Sequence, residues 1–288
     1  MSNISAEQVR ELRSKTGLGL MDCKKALQES SGNIDLAIVN LRKSSTLKAE
    51  KKSSRTALEG IIIARSTDSL KKIVMVEVNC ETDFVAKDKN FLSFCNQVLE
   101  SAQEPLNRDE LLKRISEEVE EARKSLVQKV GENVVVRRVE FIEGEILDFY
   151  IHNNKKIASA VSLKSGKKEI AKEIAMHVAA SKPLVVRPTD LSESSIDEEK
   201  QIIKAQVSNE NKPKEIIDKM IQGRIDKYFS EVSLLRQPFI KNPNQTVENF
   251  LKDSSSEIIS FLRMELGEGK EKEKKGFASE VISQIRDS

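Results

Sequence analysis

Residues 59–80 read EGIIIARSTDSLKKIVMVEVNC. Two apolar runs, Ile61–Ile63 and Ile73–Val78, flank a polar stretch, which is typical of two antiparallel strands joined by a turn. Two short motifs of this stretch return at an offset of 84 residues, as Glu143-Gly144 and as Lys155-Lys156-Ile157. This internal repeat predicts two related α+β halves, each a small antiparallel sheet with helices on one face.

The pattern outside the repeat predicts helices at both ends of the chain and a helical insertion. Ser5 with Gln8 forms a capping box, and apolar stripes broken at Gly17 and Gly32 indicate three short N-terminal helices. The prediction is an α+β chain with a three-helix module over 1–42, a basic linker over 43–56, a first core half over 57–142, a second core half over 143–188 and 238–268, a helical hairpin over 189–237, and a C-terminal helical module over 269–288.

Composition and charge argue against several classes of function. The 48 basic and 46 acidic side chains nearly cancel, so a polycation that coats nucleic acid is not favoured. Aromatic residues make up 4% of the chain, which disfavours a stacking platform for single-stranded bases. The apolar runs fall far short of the ~20 residues of a spanning helix, and the polar start is not a secretory signal. With three widely spaced cysteines, these features predict a cytoplasmic protein without a membrane segment.

The sequence carries no motif for catalysis, metal binding or nucleotide binding. The two histidines, His152 and His177, do not stand in a metal-ligand spacing, and there is no phosphate-binding loop. We therefore expect no cofactor, no bound metal and no direct nucleotide binding, and we favour a binding protein over an enzyme. Two alternatives stay open. One is an enzyme using Cys80 beside Asp83, which requires a lowered thiol pKa; the other is an RNA- or ribosome-associated protein using the basic linker 43–56.

Two segments are candidates for contact with a partner. Residues 17–21 place apolar side chains on a very small module, where they either close its core or form a docking site. Residues 79–88, NCETDFVAKD, lead from a buried strand into a helix. In that segment Phe84 either packs inwards against Phe91 and Phe94 or projects outwards.

Four longer stretches carry a resemblance to a known family. In chain order they are Thr16–Leu27, Glu77–Ala86, Ala175–Pro183 and Glu231–Phe239. Together they resemble the bacterial elongation factor Ts family over essentially the whole chain. The resemblance implies an N-terminal module similar to the ubiquitin-associated fold. It also implies a guanine-nucleotide exchange factor, without covalent chemistry, that acts on elongation factor Tu in translation elongation.

The resemblance also implies roles for individual residues. A factor of this family binds Tu with GDP, disturbs its Mg²⁺ and phosphate site, promotes GDP release and is displaced by GTP. The residues implied in dislodging the partner's Mg²⁺ are Thr82, Asp83, Phe84 and Val85. Those implied in binding the partner are Arg13, Leu20, Met21, Val130, Gly131 and His152.

The sequence departs from the family pattern at two of the positions near these contacts. Leu20 stands where many relatives carry Met, and Glu81 stands where many carry Gln. The second change adds a charge next to the segment that acts on the partner.

The helical hairpin over 189–237 also allows a dimer, or an assembly of two factors with two partners.

Overall fold

The N-terminal module consists of three helices with a core of their own. The computed structural model describes residues 4–67, 71–102, 107–207 and 214–269. Within them the chain begins with α1 (Ala6–Thr16), α2 (Leu20–Glu29) and α3 (Ile34–Lys52). Ser5 and Gln8 form the predicted capping box, and Gly17 ends α1 in the left-handed conformation. The buried side chains shared by the three helices include Leu12, Leu18, Cys23, Leu27, Ala37 and Leu41.

Helix α3 continues past residue 42, where the sequence pattern placed the start of a linker. Ser45 and Ala49 are buried one helical turn apart, on the face that packs against the long helix α6 (Arg108–Val130). The basic side chains between them dominated the sequence pattern and concealed this narrow stripe of small residues. The segment predicted as a linker is therefore helical as far as Lys52.

The first half of the core is a three-stranded antiparallel sheet covered by helices on one face. Its strands are β1 (Glu59–Thr67), β2 (Lys72–Cys80) and β3 (Val134–Glu143), in the order β1-β2-β3. The helices are α4 (Asp83–Ala86), α5 (Lys89–Ser101) and α6. Their shared core includes Val76, Val78, Phe91, Phe94 and Ile115.

The second half repeats this arrangement, which confirms the predicted α+β fold. Strands β4 (Ile146–Ile151), β5 (Ile157–Ser165) and β8 (Glu257–Glu265) form the order β4-β5-β8, again antiparallel. The elements on its helical side are α7 (Lys168–Ser181), α10 (Val247–Asp253), and the small hairpin of β6 (Pro238–Phe239) and β7 (Asn242–Thr246). From the sequence, the region of β8 was expected to supply core residues, and the structure shows that it supplies them as a strand.

The two sheets pack against each other through the faces that the helices leave open. Ile62, Ile73 and Met75 of the first sheet meet Ala158 and Ala160 of the second in one buried cluster. Alternate residues of β2 therefore face two different cores, which is why this strand is buried along its entire length.

The remaining described elements form a helical hairpin. Helices α8 (Glu193–Val207) and α9 (Lys214–Val232) pack through Ile203, Val207 and Ile225. The predicted C-terminal helix lies beyond residue 269 and so outside the described residues. The division of the chain into six units stays a prediction. No helix within the described ranges is long and apolar enough to cross a membrane.

A glycine is required at the start of β1, and Gly60→Ala tests this. Gly60 has φ +138°, and an added Cβ would overlap the carbonyl oxygen of Val78 and lie 2.8 Å from Asn79 Cα. We expect a loss of about 2 kcal/mol or more in the free energy of unfolding, because backbone atoms of β2 must move. Urea unfolding followed by circular dichroism measures it.

Gly223→Ala is the matched control. Gly223 lies in α9, where an added Cβ would meet nothing within 4 Å. The same substitution there should stabilise the hairpin by about 0.5–1 kcal/mol, because Ala loses less backbone entropy than Gly in a helix. Equal effects of the two substitutions would contradict the steric account of Gly60.

Candidate partner-binding site

The corner between β2 and α4, residues 81–86, presents an aromatic side chain to solvent. Thr82 is the N-cap of α4, and its Oγ1 accepts a hydrogen bond from the Val85 N–H at 3.4 Å. This cap directs Val85 towards the core, where it is buried, and leaves Phe84 81% exposed. Phe91 and Phe94 are buried without it. The interpretation in which Phe84 packs against these two rings is therefore wrong.

Asp83 places a negative charge directly beside the exposed ring. Its Oδ2 lies 2.7 Å from Lys87 Nζ, one helical turn further on, and its side chain is half exposed. The hydrogen bond from Lys87, together with the charges of Lys87 and Lys156, lowers the pKa of Asp83 below its ordinary value. The corner therefore presents an anionic carboxylate and an aromatic ring to any bound partner.

The C-terminal end of α6 lies beside this corner. Val130 is half-buried against the first core, and Gly131 ends the helix in the left-handed conformation at φ +77°. The next residue, Glu132, accepts hydrogen bonds from Thr82 through its carboxylate. The structure thus brings Val130 and Gly131 next to the Thr82–Val85 segment. Glu132 was not singled out from the sequence, since its partners lie 50 residues away along the chain.

His152 lies in the turn between β4 and β5, which docks on the first half of the core. Its Nδ1 is 3.1 Å from the Tyr150 hydroxyl, and its ring is exposed. In the same turn, Lys156 Nζ lies 2.6 Å from a carboxylate oxygen of Glu59, at the start of β1. Because Glu59 pairs with Cys80, the residue just before the corner, this turn lies on the same side of the molecule as the corner.

The other histidine, His177, is structural. It is fully buried, its Nε2 lies 2.9 Å from Gln237 Oε1, and its Nδ1 accepts a hydrogen bond from the Ile240 N–H. Burial lowers its pKa, so the ring is neutral near pH 7. It supplies no exposed charge or ligand.

Leu20 and Met21 form a second exposed surface, on the N-terminal module. Leu20 and Met21 open α2 and are 49% and 76% exposed, whereas Leu18 and Cys23 close the core beneath them. Arg13 is exposed on α1. The two apolar side chains are available for docking, and they are not needed to close the module's core.

Cys80 does not have the properties of a nucleophile. Burial, reinforced by the carboxylates of Glu132 and Glu59, raises the pKa of its thiol to about 12. A reactive cysteine needs a lowered pKa, so the alternative of an enzyme using Cys80 is not supported. Within the ranges that the structure covers, no cluster of three or more His, Cys, Asp or Glu side chains could hold a metal ion.

An exposed aromatic side chain on a hydrogen-bonded corner, together with a separate apolar surface on a small helical module, is typical of a protein that docks on another protein. The family model described as Elongation factor TS matches residues 81–268. Elongation factor Ts of Marinobacter nauticus is 49% identical over 98% of both chains, and that of Saccharophagus degradans is also 49% identical over 98% of both. Elongation factor Ts of Legionella pneumophila (strain Paris) is 47% identical, covering 99% of this chain and all of the relative. The chain belongs to the elongation factor Ts family, whose members are translation elongation factors.

The exposure of Phe84 gives a prediction about stability. Phe84→Ala should change the free energy of unfolding by less than about 0.5 kcal/mol, because the ring has few packing contacts to lose. Phe91→Ala, the buried control in the next helix, should cost about 3–5 kcal/mol. Thermal and urea unfolding of the two variants measure both values. A large loss for Phe84→Ala would mean that the ring belongs to the core.

Proposed function

We propose that this chain is the guanine-nucleotide exchange factor of elongation factor Tu. The observation that carries the proposal is the exposed Phe84 beside the anionic Asp83, on a corner that the fold holds in place. Membership of the elongation factor Ts family supports it, because the matched residues include this corner. The factor acts in the cytoplasm and performs no covalent chemistry of its own.

The chemistry of the partner explains how such a corner promotes GDP release. A GTPase holds GDP through contacts to its phosphates and through a Mg²⁺ ion that demands near-octahedral geometry. Phe84, inserted beside that site, displaces the groups that position the ion. Asp83 adds a negative charge near the phosphates and disfavours their retention. Because the ion tolerates little distortion, small displacements weaken its binding and then the binding of the nucleotide.

Linkage makes the effect reciprocal. Whatever the factor removes from the partner's affinity for nucleotide, the nucleotide removes from the partner's affinity for the factor. Incoming GTP can therefore expel the factor and complete the cycle. A factor that works in this way needs no nucleotide site of its own.

The second surface supplies affinity in this proposal. Leu20 and Met21 dock the N-terminal module on the partner, while Val130, Gly131 and His152 make contacts around the corner. Several separated contacts allow the factor to stay bound while one of them distorts the nucleotide site. The exposed Ile202 and Ile216 on the helical hairpin allow association of two complexes.

No observation favours the RNA-binding alternative. Part of the basic segment that suggested it is used within the chain. Lys48 pairs with Asp22 at 3.6 Å, and Lys52 Nζ donates a hydrogen bond to the carbonyl oxygen of Gly131. Lys48 therefore makes an ion pair within the N-terminal module, and Lys52 connects this module to the first half of the core.

Release of a fluorescent GDP analogue from elongation factor Tu tests the proposal. The wild-type chain should accelerate release at substoichiometric amounts. Phe84→Ala should lower the maximum release rate by about tenfold or more, the equivalent of ~1.4 kcal/mol lost from the transition state. Ile259→Ala, which truncates an exposed side chain on β8, is the matched control and should leave the rate unchanged. A folded wild-type chain that does not accelerate release would overturn the proposed function.

Met21→Ala separates docking from exchange. Loss of this exposed side chain removes apolar contact with the partner, so the half-saturating concentration of factor should rise by about fivefold to tenfold. The maximum release rate should stay within about twofold of wild type, because the corner is unaltered. An unchanged half-saturating concentration would show that Met21 does not contact the partner.

A further inference from the structure

We propose that Glu132 is a positioning residue for the exchange corner, the segment 81–86 that carries Phe84. We also propose that the adjacent Asn133 joins this segment to the end of the N-terminal module. The inference rests on the proposed function, in which Phe84 acts on a partner. It concerns residues that never need to touch that partner. Their task is to hold the backbone that carries the ring.

The carboxylate of Glu132 makes three hydrogen bonds to the two residues that precede α4. Its Oε2 accepts from the Thr82 N–H at 2.9 Å and from the Glu81 N–H at 3.2 Å. Its Oε1 accepts from the Thr82 hydroxyl at 2.6 Å. Hydrogen bonds to an ionised acceptor are stronger than those between neutral groups, so this one side chain fixes two peptide groups and one side-chain rotamer.

Thr82 passes this constraint on to α4. Its Oγ1 donates to Glu132 and accepts from the Val85 N–H. The hydroxyl therefore links the three hydrogen bonds of the Glu132 carboxylate, called the brace below, to the first turn of the helix. The Thr82 carbonyl oxygen accepts from the Ala86 N–H at 3.2 Å. The N–H, the hydroxyl and the carbonyl oxygen of Thr82 are therefore all hydrogen-bonded. These bonds fix the backbone on which Phe84 lies.

The corner requires such support because it has little stability of its own. Helix α4 is only four residues long, too short to be stable as an isolated helix. The Phe84 ring is 81% exposed and so gains almost nothing from packing. Burial of Val85 and Ala86 anchors the core side of the helix, and polar contacts at its N-terminal side fix the direction in which the ring projects towards a partner.

A second set of bonds returns from the corner and continues to the N-terminal module. Glu81 Oε1 accepts from the Asn133 N–H at 2.6 Å, which makes the connection reciprocal. The Asn133 side chain donates to the carbonyl oxygens of Arg55 at 2.8 Å and Ser53 at 3.3 Å, just after the end of α3. Glu132 and Asn133 therefore join the exchange corner to the end of the N-terminal module through hydrogen bonds.

This arrangement gives the brace a role in exchange beyond stability. A flexible corner loses conformational entropy when it becomes ordered on insertion into the partner. This entropy cost reduces the binding free energy that is available to distort the nucleotide site. Loss of the brace should therefore lower the rate of nucleotide release from the bound partner. Affinity for the partner, which depends on several separate surfaces, should change little.

Glu132→Gln is the test substitution, since it keeps the shape of the side chain and removes its charge and one acceptor oxygen. At saturating factor we expect the GDP release rate to fall by about tenfold, as for loss of a hydrogen bond to a charged group, with the half-saturating concentration within about twofold of wild type. Glu117→Gln, at an exposed position of α6, is the matched control and should leave both values unchanged. An unchanged release rate for Glu132→Gln would overturn the inference.

A double variant distinguishes positioning from a general loss of stability. In the Phe84→Ala background, Glu132→Gln should have little additional effect, because the brace then positions no ring. A full, additive loss in that background would show that Glu132 acts through stability and would contradict the inference.

Amide hydrogen exchange of the free chain measures the local stability of the corner in the absence of any partner. The amides of Ala86, Lys87 and Asp88 bond within the corner itself and make no bond to Glu132. In Glu132→Gln their exchange should be about tenfold faster, while the amides of β5 keep their protection. Unchanged protection of these three amides would overturn the positioning role, even if the wild-type chain fails to release GDP and the proposed function falls separately.

Discussion

The face-to-face packing of the two sheets is the constraint on which the rest of the molecule depends. Each half covers one sheet face with helices and leaves the other apolar. The small side chains Ala158 and Ala160 allow the second sheet to approach Ile62 and Met75 of the first closely. A single half would expose this face to water, so neither half is complete alone. The same packing carries the β4–β5 turn, with His152, to the edge of β1.

A buried charge cluster fixes how the two halves meet. Glu77 of β2 is fully buried and accepts hydrogen bonds from Arg137 at 2.8 Å, from Arg138 at 2.6 Å and from the Gly267 N–H at 2.9 Å. Burial alone would raise the pKa of Glu77, but these bonds outweigh it and the pKa is lowered. Because Gly267 belongs to the second half, the cluster ties the end of β8 to the first sheet. An unpaired charge there would be costly, so the halves have one preferred alignment.

The sequence predicted the parts of this fold that arise from local periodicity, and it predicted less where distant residues meet. The repeat located β1, β2, β4 and β5 because apolar runs and turn residues lie next to each other along the chain. β8 was recognised as core but not as a strand, since its partner β5 lies almost a hundred residues earlier. The basic segment 43–56 was expected to be a solvated tether or a helical connector, and the sequence did not decide between them because the buried face of α3 there is made of Ser45 and Ala49, residues that are not strongly apolar.

The exchange corner combines two requirements that oppose each other. Phe84 must be exposed to act on a partner, and exposure removes the packing that orders most aromatic side chains. Local sequence could not decide whether the ring points in or out, because that depends on how Thr82 caps a one-turn helix and on what holds Thr82. The carboxylate of Glu132, from the far end of a different helix, supplies that hold. The corner is therefore held by hydrogen bonds together with the buried Val85 and Ala86, and those hydrogen bonds join residues that only the folded chain brings together.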